Sequence, residues 1–122
     1  MNRKIIAILA IGILLVAGGG YYLVSTTRPG AGEPRSKEFD LRIAERKIVE
    51  GPKVLRVRQN DAVTLRITAD ETEEFHLHGY DRSVDIGPDK TATLSFAASA
   101  SGNFLIELEE SKTEIGAVEV LP

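Results

Sequence analysis

Val54 to Glu71 reads VLRVRQNDAVTLRITADE, and this stretch decides the fold. Val63, Leu65 and Ile67 alternate with Thr64 and Arg66 in the two-residue period of a strand that buries one face, and Val54 to Arg58 is strand-like in the same way. Asn60-Asp61 supplies the turn between them. The pattern continues in both directions. Upstream, Phe39, Leu41 and Ile43 alternate with Asp40 and Arg42. Downstream come Glu73 to Gly79, then Val84 to Ile86, and a Gly87-Pro88-Asp89-Lys90 turn. Thr91 to Ala97 comes next, with Ala92, Leu94 and Phe96 on one face, then Phe104 to Glu109 after Gly102, and finally Ile115 to Leu121. Roughly eight short strands predict an all-β class and an antiparallel Greek-key β-sandwich; a short helix over Ala44 to Val49 is left open.

The amino-terminal third has a different composition. Arg3 and Lys4 precede an apolar run from Ile5 to Val24, about the length that crosses a bilayer core of roughly 30 Å, with Tyr21 and Tyr22 placed for the far interface. Residues 1–25 are therefore expected to be a transmembrane helix that anchors the chain, or a cleaved secretory signal with Ala17-Gly18-Gly19 near the cut. Both readings put the remainder of the chain outside the cytoplasm, on the periplasmic or extracellular side. Ser25 to Ser36, STTRPGAGEPRS, has the composition of a flexible tether, so residues 26–37 are expected to be a linker, leaving 38–122 for one small domain.

Charge and cysteine usage narrow the function. Residues 1–37 carry five Lys/Arg against Glu33, whereas 38–122 carry ten against seventeen acids, so the domain is acidic and a poor partner for nucleic acid. The chain has no cysteine, which excludes disulfides, thiolate metal sites, Cys nucleophiles and lipid-modified cysteine. There is no G-x-S-x-G elbow, phosphate-binding glycine loop or H-E-x-x-H, and an enzyme is not expected.

Both histidines fall in Glu74 to Asp81, EFHLHGYD. On a strand, Phe75 and Leu77 point to the core while His76 and His78 point together to the other side. Tyr80 and Asp81 after Gly79 read as a strand-ending turn with a packed aromatic ring.

The succession VLRVRQNDAVTLRITADE, FHLHGYD, VDIGPDKTATLSFAASASGNFLIELEE and EIGAVEV resembles a cupredoxin-like domain. Such domains occur in EfeO-type periplasmic proteins and in the copper-binding subunit of cytochrome oxidase. The specific parts are Val57 to Asp61, the Pro88-Asp89-Lys90 turn, and Gly102-x-Phe104 leading to Gly116-x-Val118-x-Val120. The resemblance implies a blue-copper site of two His, one Cys and one Met. Laid onto this chain, the first His position falls at Glu73, the Cys at or next to Leu108 and the Met at Glu114; no His occurs after His78. Type-1 copper chemistry is therefore not expected, because its thiolate has no source here.

The same resemblance pairs Glu73 to Gly79 with Phe104 to Glu109, so that His76 and His78 share an outer face with Glu107 and Glu109. Those four residues are the candidate ligands for copper or zinc, in a module that captures or hands on the ion. The alternative is a solvent-facing set of His–Glu pairs on a metal-free sandwich that serves as an interaction or accessory subunit for another envelope protein. A third arrangement has a partner chain supplying ligands beside Glu73 or His76. A one-residue slip in register would exchange the faces and remove the site.

Overall fold

The computed structural model describes residues 10–16, 20–26 and 34–122, in two units that divide between Glu33 and Pro34 and are described separately. In the first, Ala10–Val16 (β1) pairs antiparallel with Gly20–Thr26 (β2). The helix expected through Ile5 to Val24 lies partly outside the described residues, and its described portion is extended. No helix among the described residues is long and apolar enough to cross a membrane. Glycines 18–20 weaken helix propensity in water. A bilayer would favour the helix, since it leaves the unpaired edges of a two-stranded ribbon without hydrogen-bond partners.

The second unit contains β3 (Ser36–Ala44), β4 (Lys47–Glu50), β5 (Val54–Arg58), β6 (Ala62–Ala69), β7 (Glu73–Leu77), β8 (Arg82–Ile86), β9 (Ala92–Ala97), β10 (Gly102–Leu108) and β11 (Thr113–Leu121). They form a five-stranded sheet in the order β5-β11-β10-β7-β8 and a four-stranded sheet in the order β4-β3-β6-β9. β3 begins at Ser36, inside the stretch read as tether. The alternation seen in the sequence determines what lies between the sheets: Leu55, Val63, Leu65, Ile67, Phe75, Leu77, Ile106, Leu108 and Val118 are essentially fully buried. Each such side chain contributes about 1.5–3 kcal/mol by leaving water, and without disulfides this core is what stabilises the unit.

Three features depart from the expected sandwich. The segment left open as a helix is instead the hairpin β3–β4, in which Glu45 and Arg46 have φ of 51° and 60°. Two consecutive left-handed residues make the turn that matches strand twist, and Asp70 Oδ2 holds it by accepting from the Glu45 N–H at 3.1 Å. The sheets are also not purely antiparallel, because β3 runs parallel to β6 and β5 parallel to β11. Alternation assigns faces and carries no information about strand direction. Finally, Ile106 faces Gly116 while Glu107 faces Glu114, so Ile115 is an extra residue bulged out of the β10–β11 ladder. The bulge shifts the phase of β11, and Ile115 and Val118 are both buried although three residues apart.

The β5–β6 turn is tied to the end of β9. Asp61 is 1% exposed; its Oδ2 accepts from the Arg58 N–H at 2.8 Å, and its carbonyl accepts from the Ala98 N–H at 2.9 Å. Asp61→Ala removes the side-chain acceptor of the part-buried Arg58 N–H and should cost about 0.5–1.5 kcal/mol, read as a lower urea midpoint at unchanged m-value. Asp61→Asn retains an acceptor oxygen and should recover most of the loss.

Candidate metal centre

β7 brings the two histidines to the outer face of the five-stranded sheet because Phe75 and Leu77 take the inner one, both fully buried. In the β7–β10 ladder Leu77 faces Ile106, His76 faces Glu107 and Phe75 faces Leu108. The ladder continues into the adjoining turns: the His78 N–H donates to Leu105 O at 2.9 Å, and the Glu109 N–H donates to Glu74 O at 3.0 Å. His76, His78, Glu107 and Glu109 therefore share one face, in the register the resemblance implied.

The side chains on that face are paired. His76 Nδ1 lies 2.5 Å from Glu109 Oε1, His78 Nε2 lies 2.8 Å from Glu107 Oε1, and His78 Nε2 is 3.5 Å from Glu109 Oε1. The imidazoles stack with centroids 4.2 Å apart and planes tilted by 37°. If each ring is neutral and donates its one N–H to its carboxylate, His76 Nε2 and His78 Nδ1 are left as bare acceptors. Glu109 thus touches both rings, while Glu107 serves His78 alone.

His76, His78 and Glu109 each offer a donor atom within 4.8 Å of the other two, and Glu107 falls outside this group. Donors in a tetrahedral site with bonds of 2.0–2.1 Å stand about 3.3 Å apart. The 3.5 Å edge from His78 to Glu109 already has that span. The His76–Glu109 edge is a hydrogen bond and has to open by about 0.8 Å when an ion replaces its proton. The donor set, two imidazoles and a carboxylate, suits Cu(II) or Zn(II).

Two neighbours were not read from the sequence as part of this site. Asp81, at φ 53° in the turn after β7, places Oδ1 3.8 Å from His76 Nε2. Lys112 places Nζ 3.6 Å from Glu109 Oε2. Their signal was proximity: one ends the EFHLHGYD motif and the other lies three residues past Glu109. The turn itself has the expected packed ring, with Tyr80 4.5 Å from Phe104 and 5.0 Å from Phe96, and its hydroxyl donating to Ala100 O at 2.5 Å.

The Glu109 carboxyl is held below its ordinary value of 4.5, first by the hydrogen bond from His76 and then by the charges of His76, Lys112 and His78, against a partial desolvation that acts the other way. A carboxyl depressed in the folded state stabilises the fold above its unfolded value, and that contribution fades as pH falls through the folded value. In metal-free protein, stability should therefore begin to drop near pH 4.5 and continue below it. Glu109→Gln should flatten this acid limb of the urea-midpoint profile by lowering the midpoint at pH 7 to 8 while leaving it near wild type at the acid end.

The positions that the resemblance assigned to blue-copper ligands hold other chemistry. Leu108 is buried in the core and Glu114 is exposed. Glu73 is 4% exposed, and its Oε1 accepts from the N–H groups of Glu110 and Ser111 at 3.2 and 3.3 Å. The Glu73 carboxylate is thus buried and engaged within the chain. On the other sheet a groove of about 310 Å³ is lined by Asp40, Leu41, Arg42, Glu50, Arg66 and Thr68. Arg66 there is paired with Glu38 and Asp40, and Arg42 with Glu50, which leaves little charge to attract a ligand.

No family model matches the chain, and no curated protein matches it. Solved structures do. A chain of a heme-copper terminal oxidase dimer aligns with a TM-score of 0.63 at 13% identity, over 94% of this chain and 74% of that one. The periplasmic domain of subunit II of cytochrome oxidase from Bradyrhizobium japonicum aligns with a TM-score of 0.59 at 14% identity, over 70% and 83%. The blue copper oxidase from Nitrosomonas europaea aligns with a TM-score of 0.53 at 17% identity, over 74% of this chain and 39% of that one. At these identities the likeness is one of fold, and the fold is cupredoxin-like. With no cysteine, the chain lacks the usual type-1 ligand set.

Proposed function

We propose that this cupredoxin-like domain is a metal-capture module that holds one Cu(II) or Zn(II) ion through His76, His78 and Glu109. The observation that carries the reading is the convergence of those three donors on one sheet face. Glu107 holds the His78 ring in the metal-free protein through Nε2, the nitrogen that also faces Glu109, and gives up that hydrogen bond when the ion takes the nitrogen. Among divalent ions, nitrogen and oxygen donors favour copper over zinc. Asp81 and Glu74 nearby add negative potential for a cation. Bound copper here would be captured and released rather than cycled as a blue centre.

The solved likenesses include a heme-copper terminal oxidase and the periplasmic domain of a cytochrome oxidase subunit, and an extracytoplasmic place accords with the apolar run and basic start of the chain. The domain accordingly works outside the cytoplasm, tethered by its amino-terminal segment, without catalytic activity of its own. A metal-free accessory subunit is the competing reading. It is favoured by the complete pairing of the four side chains and by the lack, among the described residues, of any buried side-chain polar atom without a partner.

Calorimetric titration of the full chain with Cu(II), then Zn(II), at neutral pH separates the two. One-to-one uptake at micromolar or tighter affinity, copper above zinc, is expected; no heat with either ion would overturn the capture reading. Lys112→Ala removes a cation that competes for Glu109 and should tighten Cu(II) binding by up to about five-fold, the size of one surface ion pair.

A further inference from the structure

Glu73 and Asp61 are the buried charged residues of the described chain. Asp61 is accounted for by its turn. Glu73 opens β7, and its side chain crosses to the segment after β10. Burying a carboxylate costs several kcal/mol unless donors surround it. The donors here are the N–H groups of Glu110 and Ser111, while Arg46 Nε, from the β3–β4 turn, stands 4.0 Å from Oε2.

Those two amides belong to the residues directly after Glu109, and the Glu109 amide itself donates to Glu74 O. β7 thus grips the turn twice, through the main chain at Glu74 and the side chain at Glu73. Thr113 Oγ1 reinforces the turn by donating to Ser111 Oγ at 2.9 Å, and Lys112 adopts φ 55°. With its backbone held from both sides, Glu109 meets His76 and His78 at once.

We infer that Glu73 is a positioning residue for the His76–His78–Glu109 site: its buried carboxylate clasps the 109–112 turn and thereby sets where Glu109 stands. The effect on metal affinity rests on the capture reading above, whereas the clasp itself does not. Reach matters more than charge in this account. Aspartate keeps the charge but is one methylene too short for amides at 3.2 and 3.3 Å, whereas glutamine keeps an acceptor oxygen at full length.

The test compares Glu73→Asp and Glu73→Gln with wild type in the full chain. Amide exchange at Glu110 and Ser111, the nitrogen chemical shifts of His76 and Cu(II) affinity are measured in each. Glu73→Asp should raise exchange at those two amides about tenfold while leaving central β6 unchanged. It should also shift the His76 nitrogens and weaken Cu(II) about tenfold, the size of a lost supporting contact. Glu73→Gln should stay within about threefold of wild type on each readout. If Glu73→Asp leaves turn exchange and the His76 shifts as they are, or changes all amides together with His76 unmoved, the inference is overturned. Should wild type bind no Cu(II), the capture reading fails, and the exchange and His76 signals still decide the clasp.

Discussion

Replacing His76 and His78 together by alanine should abolish one-to-one Cu(II) uptake and leave the fold intact. Both rings stand on the outer sheet face, so truncating them opens no cavity in the core. The folded state loses two His–Glu pairs worth about 0.2–1 kcal/mol each, small beside the several kcal/mol that hold a domain of this size. The ion loses both nitrogen donors and keeps only carboxylates. A fall from micromolar to millimolar affinity, about a thousandfold or 4.1 kcal/mol, is the expected scale. The single variants should rank in the order the distances dictate. Glu107→Gln disturbs only the orientation of His78 and should cost about tenfold, whereas Glu109→Gln removes a ligand that touches both rings and should cost more. Calorimetry with far-ultraviolet circular dichroism as the fold control checks this. Uptake persisting in the double alanine variant would place the ion elsewhere.

Gly79→Ala should be the most damaging single substitution near the site. Gly79 has φ +86°, where a side chain is strained by about 1–2 kcal/mol. A Cβ there would stand 2.3 Å from Phe104 Cδ1 and 2.9 Å from Cε1, an overlap that must be relieved by moving the ring at a further cost of about 1–3 kcal/mol. The total of about 2–5 kcal/mol is a large share of the stability of a unit of roughly 90 residues and corresponds to a fall in Tm of about 10–40 °C. Phe104 cannot move alone, since Tyr80 packs on it and the Tyr80 hydroxyl both donates to Ala100 O and accepts from the Ala100 N–H. Combining Gly79→Ala with Phe104→Leu should recover the steric part and leave the backbone part. A double variant no more stable than Gly79→Ala would assign the whole cost to the backbone.

Much of this arrangement was legible in the sequence because strand alternation acts on every residue. Val63-Leu65-Ile67 and Phe75-Leu77 identify the inner faces, and once Leu77 and Leu108 point inward, His76, His78, Glu107 and Glu109 have nowhere to go but outward. The features that were not legible depend on contacts between distant residues. The hairpin at Glu45-Arg46 has neither Asn nor Gly to announce it and is stabilised by Asp70, twenty-five residues on. The bulge at Ile115 leaves no mark in the apolar run Ile115-Gly116-Ala117-Val118. Glu73 looks like any polar strand end until the 109–112 turn folds over it. The difference between Glu107 and Glu109 comes from side-chain reach, which a two-residue period does not encode.

The parallel pairing of β5 with β11 bears on how the protein is made. Arg56 and Glu119, opposite one another in that ladder and joined by a 2.6 Å ion pair, are separated by 63 residues of chain. A ribosome adding about 5–20 residues per second takes about 3–13 s to cover that interval. Throughout it β5, whose ladder partner is β11, has both edges unpaired. Bare strand edges invite pairing with other chains. The alternating arginines at 56 and 58 put positive charge on that waiting strand, where it discourages association with another copy of the same strand until β11 arrives.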